Sequence, residues 1–237
     1  MKNNHFLNKV INNTCGVVNR IRKPNPIKEW PTTVISDKMG CDRGTPIDRV
    51  YIEKFLLKNS KYITGNVMEI GDNEYTLKYG HSVEKSIIFT ADEQFAAIND
   101  NVICGDLQTG IGCKGEIVDC FILTQTLPFI FDVDSVIHNI FKMLKKDGTA
   151  LFTVSGISMI SRFDDSRWGH YWGFTETSLK KLFECYVESD KIEFVTMGNP
   201  KTASAFLYGL SVEDLSENDF EENDPLIPLM IGVVVHK

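Results

Sequence analysis

The sequence predicts an α/β domain, doubly wound around a mostly parallel sheet. Three observations lead there. A short apolar run, Val67-Met68-Glu69-Ile70, carries an acid near its end and passes straight into Gly71, as the first strand of such a fold does where it meets a nucleotide-like ligand. Further apolar runs of strand length follow, with room for crossover helices between them, which is the rhythm of parallel strands joined by right-handed connections. After Val154 the rhythm changes. Two late apolar runs, Lys191 to Met197 and Ile231 to His236, read as a closing antiparallel pair.

The elements follow in order. Residues 1–40 read as an N-terminal extension, broken by Pro24, Pro26 and Pro31 and holding Arg20, Arg22, Lys23 and Lys28; the domain proper spans 41–237. Thr45-Pro46-Ile47-Asp48 reads as a helix start, with Thr45 as N-cap and Pro46 in the first turn. Val50, Ile52, Phe55 and Leu56 then supply its apolar face. Asn66 to Ile70 is the first strand and Ser86 to Ala91 the second. Val102 to Leu107 is a short third strand or its exit, and Val118 to Leu123 is the fourth. Val133 to Leu144 is an amphipathic helix that Lys145-Lys146-Asp147-Gly148 closes as a basic last turn with a glycine stop. Thr149 to Val154 is the fifth strand. Ser155 to Thr175 is irregular, Glu176 to Tyr186 is a helix, and the acidic run from Glu213 to Asp224 is a solvated surface segment.

Composition narrows the function. The formal charge of -7 over 237 residues argues against nucleic acid as a partner. The six cysteines form no Cys-x-x-Cys pair and stand near no histidine cluster, so no metal site is expected. Scattered thiols suit a reducing cytoplasm. The first ten residues are too polar for a signal peptide, and no apolar run approaches the ~20 residues of a membrane helix. A soluble cytoplasmic protein is the expectation.

The turn after the first strand narrows the ligand. It has one glycine where a dinucleotide fold has three, and Asp72, Asn73 and Glu74 stand where a pyrophosphate would want bare N–H groups. An adenosyl ligand without a pyrophosphate fits, and S-adenosyl-L-methionine is the candidate. Gly71 lets the backbone approach such a ligand. Asp92, or its neighbour Glu93, falls about 20 residues beyond the turn, where a carboxylate clamps ribose hydroxyls.

Several motifs together carry a family likeness. They are Arg43-Gly44-Thr45-Pro46-Ile47-Asp48-Arg49, Glu69-Ile70-Gly71, Tyr75-Thr76, Asp106-Leu107, Asp119-Cys120, Thr124-Gln125-Thr126-Leu127, Leu144-Lys145-Lys146-Asp147-Gly148, Ser155-Gly156-Ile157-Ser158, Arg167-Trp168-Gly169, Tyr171-Trp172 and Phe174-Thr175. Over roughly residues 37–237 the chain resembles a group of class I S-adenosylmethionine-dependent methyltransferases associated with bacterial surface-polysaccharide and glycan biosynthesis. The resemblance implies a Rossmann-like, seven-stranded sheet whose last strand is antiparallel. It also implies donor contacts from Glu69 to the ammonium group, from Tyr75 over the methionine part, from Asp106 and the Leu107 N–H to adenine, and from Gln125 near the sulfonium.

The segment from Arg162 to Thr175 is the expected acceptor wall. There Arg162, Asp164, Asp165, Arg167, Trp168, His170, Tyr171 and Trp172 mix charge with aromatic surface, and Arg43 and Arg49 are further candidates for acceptor binding. His170 is the candidate general base. The implied acceptor is a small molecule or glycan: an oxygen, less readily a nitrogen, of a sugar, sugar nucleotide or phosphate-type group. Two rivals stand beside this. A NAD-dependent sugar-modifying enzyme would need Gly-x-Gly-x-x-Gly after the first strand. A non-catalytic adenosylmethionine-binding module takes support from Gly173, where the group's pattern has an arginine.

Overall fold

The computed structural model describes residues 29–97 and 100–237. The chain divides into two compact units, Met1–Val34 and Ile35–Lys237. In the first unit residues 29–34 run through bends with exposed side chains. The basic residues Arg20, Arg22, Lys23 and Lys28 lie outside the described residues.

The second unit is built on one seven-stranded sheet. Its strands are β1 (Gly65–Ile70), β2 (Val83–Thr90), β3 (Val102–Cys104), β4 (Val118–Thr124), β5 (Leu144–Ser155), β6 (Ile192–Met197) and β7 (Met230–His236). Their order across the sheet is β3-β2-β1-β4-β5-β7-β6. β7 is antiparallel to both its neighbours, while the pairings among β1 to β5 are parallel. The expected closing pair and reversed last strand are both present. Between β1 and β4 the order changes direction, the switch point at which doubly wound sheets open a ligand crevice.

Helices cover both faces, so the inner strands are apolar throughout. Neighbouring residues of a strand serve opposite faces. Phe121, Phe152 and Val233 pack with α4 (Val133–Met143) and α6 (Glu176–Phe183), through Val136, Ile140, Leu179 and Phe183. Ile122, Leu151 and Val234 pack with α1 (Ile47–Lys58) and α7 (Pro200–Leu207), through Tyr51, Phe55, Ala203 and Phe206. The shorter helices α2 (Glu74–Tyr79), α3 (Glu93–Ala97) and α5 (Arg162–Trp168) stand around the cavity end of the sheet. Among the described residues no helix is long and apolar enough to cross a membrane.

Several boundaries differ from the sequence expectation. Thr45 does not cap α1: Pro46 holds the N-cap position, and the Thr45 hydroxyl and N–H both donate to Glu213. The third strand stops at Cys104, because Asp106 turns the chain and its N–H pairs with the Ile111 carbonyl. Lys145 to Gly148 are not a helix end. α4 stops at Met143 and β5 begins at once, with Leu144 opposite Val118 and Thr149 opposite Cys120. The extra residues bulge out of the ladder, and Lys145 Nζ closes the bulge 2.8 Å from Asp119. The segment after β5 contains α5, whose N-cap Ser161 accepts from the Asp164 N–H. The acidic run is at the surface, yet several of its acids are tied down. Glu213 holds Thr45, Asp214 pairs with Arg43 at 2.7 Å, Asp219 with Lys201 at 2.6 Å, and Glu221 with Lys54 at 3.1 Å.

Candidate active site

A cavity of about 960 Å³ opens at the carboxyl ends of the parallel strands. That is near the top of the ~300–1,000 Å³ range of small-molecule sites and is roomy enough for two ligands. Each of four successive strands delivers residues to it: Ile70 and Gly71 after β1, Thr90 to Asp92 after β2, Gly105 to Gln108 after β3, and Gln125 and Thr126 after β4. The far wall is Phe129, Ile130 and Phe131 with Asp164, Trp168 and Tyr171 from α5 and its exit.

Gly71 turns at φ +81°, a conformation that side chains rarely adopt, and a Cβ there would meet nothing within 4 Å. The glycine is needed for its backbone angle. Its N–H is already given to the Phe89 carbonyl at 3.0 Å, so this turn lacks one of the N–H groups that a phosphate cradle would use. Gly105 has the opposite reason. A Cβ there would stand 2.5 Å from the Phe89 ring and 2.4 Å from the Ile111 carbonyl oxygen, so only glycine lets the 105–111 loop lie against β2.

Asp92 caps α3, with its Oδ1 accepting from the N–H groups of Gln94 and Phe95 at 2.9 and 3.0 Å. Of the pair Asp92 and Glu93, Asp92 is the one that lines the cavity. Asp106 holds its own turn, accepting from the Gln108 N–H at 2.8 Å and the Thr109 hydroxyl at 3.0 Å. Each carboxylate oxygen has two acceptor directions, so both acids keep acceptor capacity. The Leu107 carbonyl accepts from Asn139 at 2.9 Å, while its N–H has no partner among the described residues. Gln125 sits at φ +46° just past β4, and its Oε1 accepts from Ser155 at 2.7 Å. Its Nε2 is buried without a partner among the described residues. A buried amide donor left unpaired costs about 1–3 kcal/mol in a protein interior, which is a reason to look for a ligand there.

Other sequence candidates lie elsewhere. Glu69 is only 3% exposed and is not a cavity wall residue. Its oxygens accept from the Tyr75 N–H, the Thr76 N–H and the Thr76 hydroxyl at 3.1, 2.8 and 2.8 Å, fastening the start of α2. Burial raises its pKa to about 7 against those three bonds. Tyr75 is buried, and its hydroxyl accepts from Arg49. Arg43 pairs with Asp214, and Arg162 with Asp37 at 3.0 Å. Arg167 donates to the Phe163 carbonyl at 2.8 Å and lies 3.5 Å over the Phe163 ring. Trp172 donates to the Ile130 and Phe131 carbonyls at 3.1 and 3.2 Å and stacks on Phe131. The His170 ring stands edge-on to Phe129, with Nδ1 3.4 Å from the Ser161 nitrogen. It backs the wall residue Phe129 and does not itself line the cavity.

The site thus gathers Gly71, Asp92, Asp106, Leu107, Gln125, Trp168 and Tyr171, and leaves out Glu69, Tyr75, Arg43, Arg49, Arg162, Arg167, His170 and Trp172. One wall feature escapes the sequence reading. Phe129 to Phe131 follow a Leu-Pro turn that no periodicity marks. Asp164, which the sequence places in the acceptor segment, is part of the wall, and its N–H is held by the N-cap Ser161. Among the described residues no group of three or more His, Cys, Asp or Glu side chains is placed to hold a metal ion.

No protein-family model matches the chain, and no curated protein matches it in sequence. Solved structures do. A SAM-dependent methyltransferase from Archaeoglobus fulgidus superposes with a TM-score of 0.52 at 13% identity, over 80% of this chain and 94% of that one. The N-methyltransferase NodS from Bradyrhizobium japonicum, solved with S-adenosyl-L-homocysteine, gives 0.51 at 17% identity, over 86% and 93%. A SAM-dependent methyltransferase from Thermotoga maritima gives 0.50 at 16% identity, over 81% and 96%. At such identities the likeness is one of fold: the chain has the Rossmann-like α/β fold of class I methyltransferases.

Proposed function

We propose that the protein is an S-adenosyl-L-methionine-dependent methyltransferase. The observation that carries this is the cavity into which Gly71, Asp92, Asp106 with Leu107, and Gln125 are delivered by four successive strands at one end of the sheet. Each has the chemistry that one part of the donor needs. Asp92 has a carboxylate oxygen left for vicinal ribose hydroxyls. Asp106 can accept from the adenine amine, and the Leu107 N–H is free to meet a ring nitrogen. The unpaired Gln125 amide lies where the donor's amino-acid end or sulfonium is expected. NodS, with S-adenosyl-L-homocysteine bound, lends the same fold to such a ligand.

The donor supplies an activated methyl group, already carried on a positively charged sulfur. The protein has to hold an acceptor nucleophile in line with it and keep water away. Phe129, Ile130, Phe131, Trp168 and Tyr171 make a largely apolar wall suited to that task. The sequence resemblance alone points to a sugar or sugar-linked acceptor of surface-polysaccharide biosynthesis; the wall itself offers aromatic and apolar faces to whatever acceptor enters. His170 enters as a residue that positions Phe129.

Calorimetry with S-adenosyl-L-methionine and its demethylated product tests the proposal. Both should bind. Asp106→Ala should weaken both about tenfold or more, near the ~1.4 kcal/mol of a lost charge-assisted hydrogen bond. Unchanged affinity in Asp106→Ala would remove the adenine assignment, and no binding to the intact protein would remove the function.

A further inference from the structure

Resting on the methyltransferase reading above, we propose that the methyl acceptor is an amine carried on a flat apolar face, with its nitrogen held by Asp164. Among the described residues the cavity wall contains three carboxylates, Asp92, Asp106 and Asp164, and no lysine, arginine or histidine. Two of the three have roles at the donor end. Asp164 stands apart from them, on α5, beside Trp168 and Tyr171. One of its oxygens accepts from Ser161 at 2.5 Å. The other has no partner among the described residues.

The basic residues nearest in sequence do not offset this charge. Arg162 is paired with Asp37, and Arg167 is folded over Phe163. A phosphate or carboxylate on the acceptor would therefore enter a half-enclosed space whose described wall carries only like charge and offers no cation to replace its hydration. An ammonium group finds the reverse. It meets a carboxylate with a free oxygen, and aromatic faces that attract cations. The apolar remainder of the acceptor lies against the Trp168 and Tyr171 side. This reverses the order in which the sequence ranks oxygen and nitrogen, and it sets aside a phosphate-type acceptor.

The chemistry balances. The bound ammonium gives one proton to the free Asp164 oxygen and recovers its lone pair. That pair forms the new N–C bond as the methyl C–S bond breaks, and the breaking pair stays on the donor's sulfur. The product is a methylated ammonium, and Asp164 returns its proton to solvent when the product leaves.

A matched pair of probes tests the charge preference without relying on turnover. Protein saturated with S-adenosyl-L-homocysteine is titrated with 2-phenylethylamine and with 3-phenylpropionate, which share a ring and differ in the sign of their charge. The amine should bind at least tenfold more tightly. Asp164→Asn, checked for an unaltered circular dichroism spectrum, should abolish that preference. Tyr171→Arg, which sets a guanidinium into the same wall, should turn it toward the carboxylate. Equal or tighter binding of 3-phenylpropionate overturns the proposal, as does no binding of either probe. So does a preference that survives in both variants. The first step of the titration separates the two levels: failure to take up S-adenosyl-L-homocysteine refutes the methyltransferase reading, whereas normal uptake without an amine preference refutes the acceptor alone.

Discussion

At Glu69 a nearly buried carboxylate receives three hydrogen bonds, and burial still raises its pKa to about 7 from an ordinary 4.5. Between those two pH values the folded chain holds a proton that the unfolded chain has released. The contribution of Glu69 to stability is therefore full below about pH 4.5, falls as pH rises toward 7, and is level above. The span corresponds to at most about 3 kcal/mol. Glu69→Gln should flatten this part of the profile, read as urea midpoints at pH 5 and pH 8 for both proteins. An unchanged slope would show that Glu69 does not titrate in that range. The sequence marks Glu69 as special and does not say for what. A carboxylate at a strand end can face a ligand or the next helix, and the choice depends on where Tyr75 and Thr76 place their N–H groups. The arginines were illegible for a similar reason. Their partners Asp214 and Asp37 lie 171 and 125 residues away along the chain.

Among the elements, periodicity was a sound guide wherever a helix or strand presents a long apolar face. α4 carries Val136, Ile137 and Ile140 on one side, and β6 and β7 stand out as apolar runs. Short helices are held by their caps, and there pattern alone says little. α7 shows the alternative signal: Asn199, Pro200 and Thr202 are an N-cap, a first-turn proline and a reciprocal third-position cap. Asn199 accepts from the Lys201 and Thr202 N–H groups and donates to the Asp219 and Glu222 carbonyls. It thereby joins α7 to the acidic segment. Asn199→Ala should cost about 2 kcal/mol of stability, the high end for a lost cap. Equilibrium denaturation measures this, and donor affinity at 25 °C serves as the control that should not move. A loss under about 0.5 kcal/mol would mean that the two carbonyls find other partners.

For the whole molecule, the strands can be found one by one in the sequence, but their lateral order cannot, because it is set by which way each crossover turns. That order is what brings Gly71, Asp92, Asp106 and Gln125 to one cavity although they span more than fifty residues of chain. It also settles when the sheet can be completed. β7 lies between β5 and β6, and β6, at the edge, pairs with no other strand of the sheet. While a ribosome is still adding residues 230–236, β5 presents an open edge carrying Ala150, Phe152 and Val154, and Ile192–Met197 has nothing to join. An unpaired apolar edge of this kind recruits other chains. A chain ended at Leu229 should accumulate as aggregate when expressed, and supplying residues 230–237 as a separate peptide during refolding should recover soluble protein. Sedimentation of the two preparations reads this out, and a monodisperse truncated chain would contradict it. For this protein, a nonsense codon between Trp172 and Met230 is a solubility lesion before it is a catalytic one, even though the residues it deletes include none that line the cavity.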